Sequence, residues 1–216
     1  MKYFLCITCN PELQAQLYGE NLPSLILIFL PFILIALLTV FYSVKASSFS
    51  DKSGNLLLNP EPLGAVAIIL GMGAGGFADG IILHQILQFH EMLSARIQTD
   101  TVIGKSINMF WDGIFHFFTL LIVLCGIILL WKLLKKNIIH TSGYLFSGGL
   151  LTGWAIFNLI EGIINHHILK LHNIKELSAH HEVWNWGFLT FTVLLFISGW
   201  MLMKKGNITT INKPVL

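Results

Sequence analysis

The sequence predicts an all-α integral membrane protein of five transmembrane helices. Four of them form a bundle of two parallel-repeat helical hairpins, and one extra helix precedes it. Three observations carry this reading. Hydrophobic residues make up 55% of the chain and charged residues 11%, with a mean hydropathy of +0.73, whereas a soluble domain is about a quarter charged. Five apolar runs reach the length of about 20 residues that a helix needs to cross a bilayer. One pattern is also written twice, as Asp79-Gly80-Ile81-Ile82-Leu83-His84-Gln85-Ile86-Leu87-Gln88-Phe89-His90 and as Glu161-Gly162-Ile163-Ile164-Asn165-His166-His167-Ile168-Leu169-Lys170-Leu171-His172.

Residues 1–62 supply a tail, the first helix and a linker. The first helix is expected over 22–44, broken only by Pro23 and Pro31. Its apolar run is too long for a signal-peptide core and no basic region precedes it, so it reads as retained. Cys6 and Cys9 form a lone C-x-x-C with no second pair for a zinc site. Cys125 reads as a small core- or lipid-facing residue. Residues 63–205 form the duplicated bundle, with helices at 63–89, 107–131, 144–171 and 184–203, and 206–216 is a polar tail.

The repeat is a hairpin. Trp111-Asp112-Gly113-Ile114-Phe115 opens the third helix and Trp184-Asn185-Trp186-Gly187-Phe188 the fifth, after a shorter linker. Units of two helices share one membrane orientation, so a pseudo-twofold axis along the membrane normal is expected. The spacings Gly71/Gly75, Gly76/Gly80 and Gly149/Gly153 let backbones approach closely, with the second and fourth helices facing each other. Lys132, Lys135, Lys136, Lys204, Lys205, Lys45 and Lys52 fall on one side of a five-helix count, against Lys2, Arg96, Lys105, Lys170 and Lys175 on the other. The bias gives N-terminus out and C-terminus in. The net charge of +2 includes no basic stripe, which argues against nucleic acid as a partner.

Ionisable residues in apolar helices are costly, so the acids and histidines of the two copies are the candidate site. On an α-helix of 100° per residue, Asp79 and His90 share a face about 16 Å apart, with His84 about 140° round. Glu161, His166 and His172 repeat that geometry, and His167 points elsewhere, behind the ligands. Asp112 and His116 add an i, i+4 pair from the third helix. The candidate metal set is therefore Asp79, His84, His90, Asp112, His116, Glu161, His166, His167 and His172. Imidazoles with carboxylates and no cysteine suit copper, iron, zinc or nickel, and paired histidines on facing helices also suit haem. Other readings compete. His140, His180 and His181 fit interfacial polar residues, Asp112 a helix cap, and Trp111, Trp184 and Trp186 interface anchors.

These motifs, from Gly75-Gly76-Phe77-Ala78-Asp79 to His90, with Asp112-Gly113-Ile114-Phe115-His116 and Gly153-Trp154 to His166-His167, closely resemble a family of bacterial inner-membrane proteins catalogued as a domain of unknown function. The likeness covers roughly residues 64–204. The family pattern has His-His where this chain has His90-Glu91 and His172-Asn173, which leaves His84, His90, His116, His166, His167 and His172 as the matching set. Some members are joined to a copper-delivery domain of cytochrome oxidase assembly. The resemblance thus implies an inner-membrane location, copper, and oxidase-assembly components as partners beside lipid.

The function expected is a membrane metal-binding protein, with copper favoured and its site at the outer end of the bundle. The alternatives are a membrane metalloenzyme (a dinuclear iron or copper oxidase, or a zinc hydrolase), a b-type haem protein and, last, a proton- or ion-coupled transporter.

Overall fold

The structure is a computed structural model that describes residues 10–17, 25, 27–50 and 56–207. Cys6, Cys9, the start of the first expected helix and the tail beyond residue 207 lie outside the described residues. A short helix α1 (Pro11–Leu17) comes first. A 3₁₀ turn (Leu27–Phe29) then runs into α2 (Leu30–Ser43). A small antiparallel hairpin, β1 (Ser48–Ser50) with β2 (Leu56–Leu58), occupies part of what the sequence presents as a plain linker.

Four apolar helical spans follow: Glu61–Ile86, Val102–Leu134, Gly143–Ile168 and His181–Gly206. The first comprises α3 (Glu61–Ala78) and a π-helical extension (Asp79–Ile86). The second is α4 (Val102–Leu134). The third comprises α5 (Gly143–Glu161) and a second π-helical extension (Gly162–Ile168), and the fourth is α6 (His181–Gly206). All four are long and apolar enough to cross a membrane, and the architecture is that of an all-α integral membrane protein. The described part of the first expected span, Leu27–Ser43, is apolar but shorter. α4 begins earlier than its apolar run because the Thr101 hydroxyl accepts from Gly104 N–H at 3.0 Å, capping a polar first turn. Ser142 caps α5 in the same way through Leu145 N–H.

The α3–α5 pair is the centre, with α4 against α3 and α6 against α5. Glycine makes this possible. A Cβ on Gly71 would overlap the backbone of Leu150, and one on Gly153 would overlap the backbone of Ile68. Hydrocarbon gives two apolar helices no reason to exclude lipid, so close backbone approach and van der Waals contact hold this seam. The outer helices show large apolar side chains to the surroundings: Phe117, Leu121 and Ile128 on α4, and Phe191, Leu194 and Met201 on α6.

One sequence reading changes here. Trp111 is buried, not an interface anchor, because α4 extends well beyond it on its N-terminal side. His140 is buried in the connection between α4 and α5, at the end of the bundle. Trp184 and Trp186 are exposed, as anchors would be.

Candidate metal centre

Both repeated segments leave the α-helical path at the acid. From Asp79 and from Glu161–Gly162 the chain is π-helical, with Leu87 N–H donating to Ile82 O at 2.8 Å and Leu169 N–H to Ile164 O at 2.7 Å. π-Helical turns are rare and concentrate at functional sites. The i, i+5 register corrects the 100° geometry, since His84 and His166 are now stacked over Asp79 and Glu161 rather than turned away. His84 Nε2 lies 3.2 Å from Asp79 Oδ2, and His166 Nε2 lies 2.8 Å from Glu161 Oε1.

The segments then end alike. Phe89 N–H donates to Leu83 O and Leu171 N–H to Asn165 O, around Gln88 and Lys170, each at φ 49°. That left-handed conformation costs a non-glycine residue about 1 kcal/mol or more. It reverses the chain and swings His90 and His172 back into the bundle. The sequence geometry, which left Asp79 and His90 about 16 Å apart on a straight helix, is corrected by the same reversal. His172 Nε2 is 2.8 Å from Glu161 Oε1.

Four imidazoles meet there. His90 and His172 stack with centroids 4.6 Å apart, His84 lies 4.4 Å from His90, and His166 lies 4.6 Å from His172. Phe115 stacks on His84 and Phe188 on His166, each at 5.7 Å. The four rings, Asp79 and Glu161 are each at most 5% exposed. The linkers cover this end of the bundle by pairing with each other, through Ala95 N–H to Leu171 O and Glu176 N–H to Phe89 O.

Backbone hydrogen bonds set the ring orientations. His90 Nδ1–H donates to Ile174 O, and His172 Nδ1–H donates to Met92 O, both at 3.0 Å. A carbonyl only accepts, so Nδ1 carries the proton and a neutral ring keeps its lone pair on Nε2. Asp112 does the same for His84, whose Nδ1–H donates to Oδ1 at 2.9 Å. The same oxygen also accepts from Met92 N–H. Burial above all, and then the neighbouring imidazoles, hold the His90 ring well below the ordinary histidine range, so it stays neutral. His90 Nε2, Glu161 Oε2 and Asp79 Oδ1 are buried without a hydrogen-bond partner among the described residues, while His84 Nε2 and Asp79 Oδ2 face each other at 3.2 Å. Ligand atoms of His84, His90 and His172 lie within 4.8 Å of one another, as do those of Glu161, His166 and His172.

Of the other candidates, Asp112 borders this cluster, and His116 and His167 stand apart from it. Asp112 caps nothing, because α4 starts at Val102; it orients His84. His116 Nδ1–H donates to Asp112 O at 2.6 Å, and its ring occupies the space that Gly80 leaves open. His167 Nδ1–H donates to Gly162 O, and its ring packs on Trp186. Where the family pattern has the second histidines, Glu91 pairs with Lys105, and Asn173 accepts from Asn185 Nδ2. The carbonyls of Met92 and Ile174 carry no side-chain signal, so sequence reasoning missed them. The Phe115 and Phe188 rings were visible only as matching letters in the two helix openings.

No curated protein and no solved structure matches the chain. Residues 66–206, from early α3 to the last residue of α6, match the family described as Predicted membrane protein (DUF2243), and the chain belongs to that family.

Proposed function

We propose that this protein holds a transition-metal centre inside its membrane bundle. His84, His90, His166 and His172 are the nitrogen ligands, and Asp79 and Glu161 the oxygen ligands. The observation that carries the reading is the reciprocal pair of Nδ1–H bonds to the Ile174 and Met92 carbonyls, which turns the Nε2 atoms inward. Metal-bound histidines are held this way, by a carbonyl or carboxylate on the far nitrogen.

Charge supports it. Asp79, Asp112 and Glu161 are buried, and their ion-pair partners among the described residues are imidazoles. Neutral imidazoles do not compensate buried carboxylates, so cations are needed, as protons or as metal. The 2.8 Å separations of His166 Nε2 and His172 Nε2 from Glu161 Oε1 equal the edge between ligands at 90° and about 2 Å from one ion, as in a square-planar or octahedral site.

Copper is the ion we favour, from the family's association with copper delivery, and the same nitrogen and oxygen donors accept iron and zinc. Rings packed 4.4 to 4.6 Å apart leave no slab for a porphyrin, so an ion is favoured over haem. The cluster lies at the end of the bundle opposite Lys132, Lys135, Lys204 and Lys205. With the lysine-rich end cytoplasmic, the centre faces the periplasmic side of an inner membrane, where oxidase-assembly components are the partners to test. The recurrence of the π turn, the acid–histidine contact, the stacked phenylalanine and the carbonyl-bound returning histidine in both segments supports two parallel hairpin repeats about a pseudo-twofold axis.

A second reading, a membrane metalloenzyme, is favoured by one observation: an apolar groove reaches Asp79. The test for both is elemental analysis with an optical spectrum of detergent-purified protein, beside a His84→Ala, His166→Ala double variant. Stoichiometric metal that the variant loses is expected, and the element and spectrum choose the ion. Metal-free protein from metal-replete cells would reduce the cluster to a structural polar layer or a proton path.

A further inference from the structure

Asp79 also serves a second feature. With Asn158 it forms the polar floor of a groove of about 230 Å³ between α3, α5 and α6, walled by Trp154, Phe188 and Phe191. Asp79 Oδ1 and Asn158 Oδ1 are buried and have no hydrogen-bond partner among the described residues, whereas Asp79 Oδ2 faces His84 Nε2 at 3.2 Å. A second, apolar groove of about 470 Å³ shares Leu83, Phe188 and Phe191 with the first and continues past Phe89, Val183 and Trp184. Its rim lies on the outer surface of the helices, where Trp184 and Phe191 are exposed. Aromatic walls that end on two unpaired acceptors complement a molecule with hydroxyl donors at one end and hydrocarbon at the other.

The equivalent face of the molecule indicates the head-group shape. Phe115 and Phe118 stand on α4 where Phe188 and Phe191 stand on α6. On that face the chain fills the space with its own rings. Phe118 packs on Phe29 at 4.6 Å and on Phe32 at 6.1 Å, Phe32 on Phe157 at 4.9 Å, and Phe157 on Phe115 at 5.8 Å. The open face has Gly75 where the filled one has Phe157, and Asn158 where the filled one has Gly76. The filled face thus has the Phe157 ring and no amide, and the open face has the Asn158 amide and glycine in place of that ring.

We propose that the open groove binds a membrane-dissolved amphiphile of the alkyl-hydroquinone class. Its ring takes the place between Trp154 and Phe188, its hydroxyls donate to Asp79 and Asn158, and its chain leaves over the exposed Phe191 into the surrounding hydrocarbon. The inference deepens the metal-centre reading by naming what reaches its Asp79 side, and it rests on that reading for its meaning but not for its binding test.

Full-length protein in lipid nanodiscs is titrated without oxygen, once with 2-decylhydroquinone and once with the dimethyl ether of that compound. Binding is read by calorimetry and metal content by elemental analysis of the same samples. Saturable binding of about one hydroquinone is expected, about tenfold tighter than the ether, which has no hydroxyl to donate. Ala78→Phe, which puts a ring into the groove, should weaken binding about tenfold or more. Asn158→Leu keeps the bulk and removes the acceptor, so it should shrink the preference for hydroquinone over ether, and this test stands if Ala78→Phe does not fold. Unsaturable partitioning, equal affinity for both compounds, or equal binding by wild type and Ala78→Phe overturns the proposal. Metal retained with no saturable binding counts against the groove alone; binding retained by metal-free protein counts against the centre alone.

Discussion

The two halves of the histidine cluster share one backbone and differ in charge. Each has an acid, a histidine over it in π register, a stacked phenylalanine and a returning histidine oriented by the other half's carbonyl. The first half has the shorter acid, Asp79, and backs His84 with the carboxylate of Asp112. The second has the longer Glu161, which reaches both His166 and His172, and neutral Asn185 where the first has Asp112. Asn185 and Asp112 have one structural role in common, since each accepts one backbone N–H, from Ile174 and Met92 respectively. The shared bond explains why a similar side chain recurs, and the added charge sets the two histidines apart. In the proposed centre, a carboxylate behind His84 would strengthen its Nε2 as an electron-pair donor to the ion.

The largest expected effect comes from the point where the halves meet. His172 belongs to both groups of ligand atoms, whereas His90 belongs to one. His172→Ala should therefore lower metal affinity by about 100-fold or more, and His90→Ala by less, measured by competition with a chelator; second-sphere losses alone reach about 10 to 100-fold. Equal losses would mean that the halves contribute alike and that the Glu161–His172 contact adds nothing.

Exchanging the backing residues tests the charge difference next. Asp112→Asn should weaken metal binding by about 10-fold or more and shift the optical spectrum, because His84 loses its anionic partner while Met92 N–H keeps an acceptor. Asn185→Asp should move affinity the other way or leave it, since Ile174 N–H still has its acceptor. If both substitutions behave alike, then the two histidines differ in nothing that Asp112 supplies.

The limits of the sequence reading fall at the same places. The helices were legible because apolar runs of span length have no other use, and the pairing of α3 with α5 because Gly71 and Gly153 recur in matching slots. The acids and histidines were legible as ionisable groups in apolar surroundings. Their arrangement was not. A uniform 100° helix separates His84 from Asp79, and only the π register with Gln88 and Lys170 at positive φ brings them and the returning histidines together. Neither residue is a glycine or asparagine, the types that announce a left-handed position. His116 and His167 looked equal to the others as letters, but each gives its Nδ1–H to a carbonyl of its own helix one turn back rather than to the other half. The groove was invisible because it depends on residues that are absent, notably the ring missing at Gly75.

The smallest effects separate packing from the site, and they too can be read across the two halves. Gly71 and Gly153 face each other's helices across the central seam, and a methyl on either overlaps backbone, which cannot move aside as a flexible side chain can. Gly71→Ala and Gly153→Ala should each cost about 1 to 3 kcal/mol, and nearly the same amount if the halves pack alike. Gly113 and Gly187 lie on the outer helices, where an added methyl would meet nothing within 4 Å among the described residues. There alanine should be neutral or stabilise by up to about 1 kcal/mol through helix propensity. Thermal unfolding of the four variants in one detergent is the measurement, with metal content held equal. A seam variant as stable as the Gly187→Ala protein would show that α3 and α5 do not approach as closely as described. Unequal losses at Gly71 and Gly153 would place the rigid part of the seam in one hairpin.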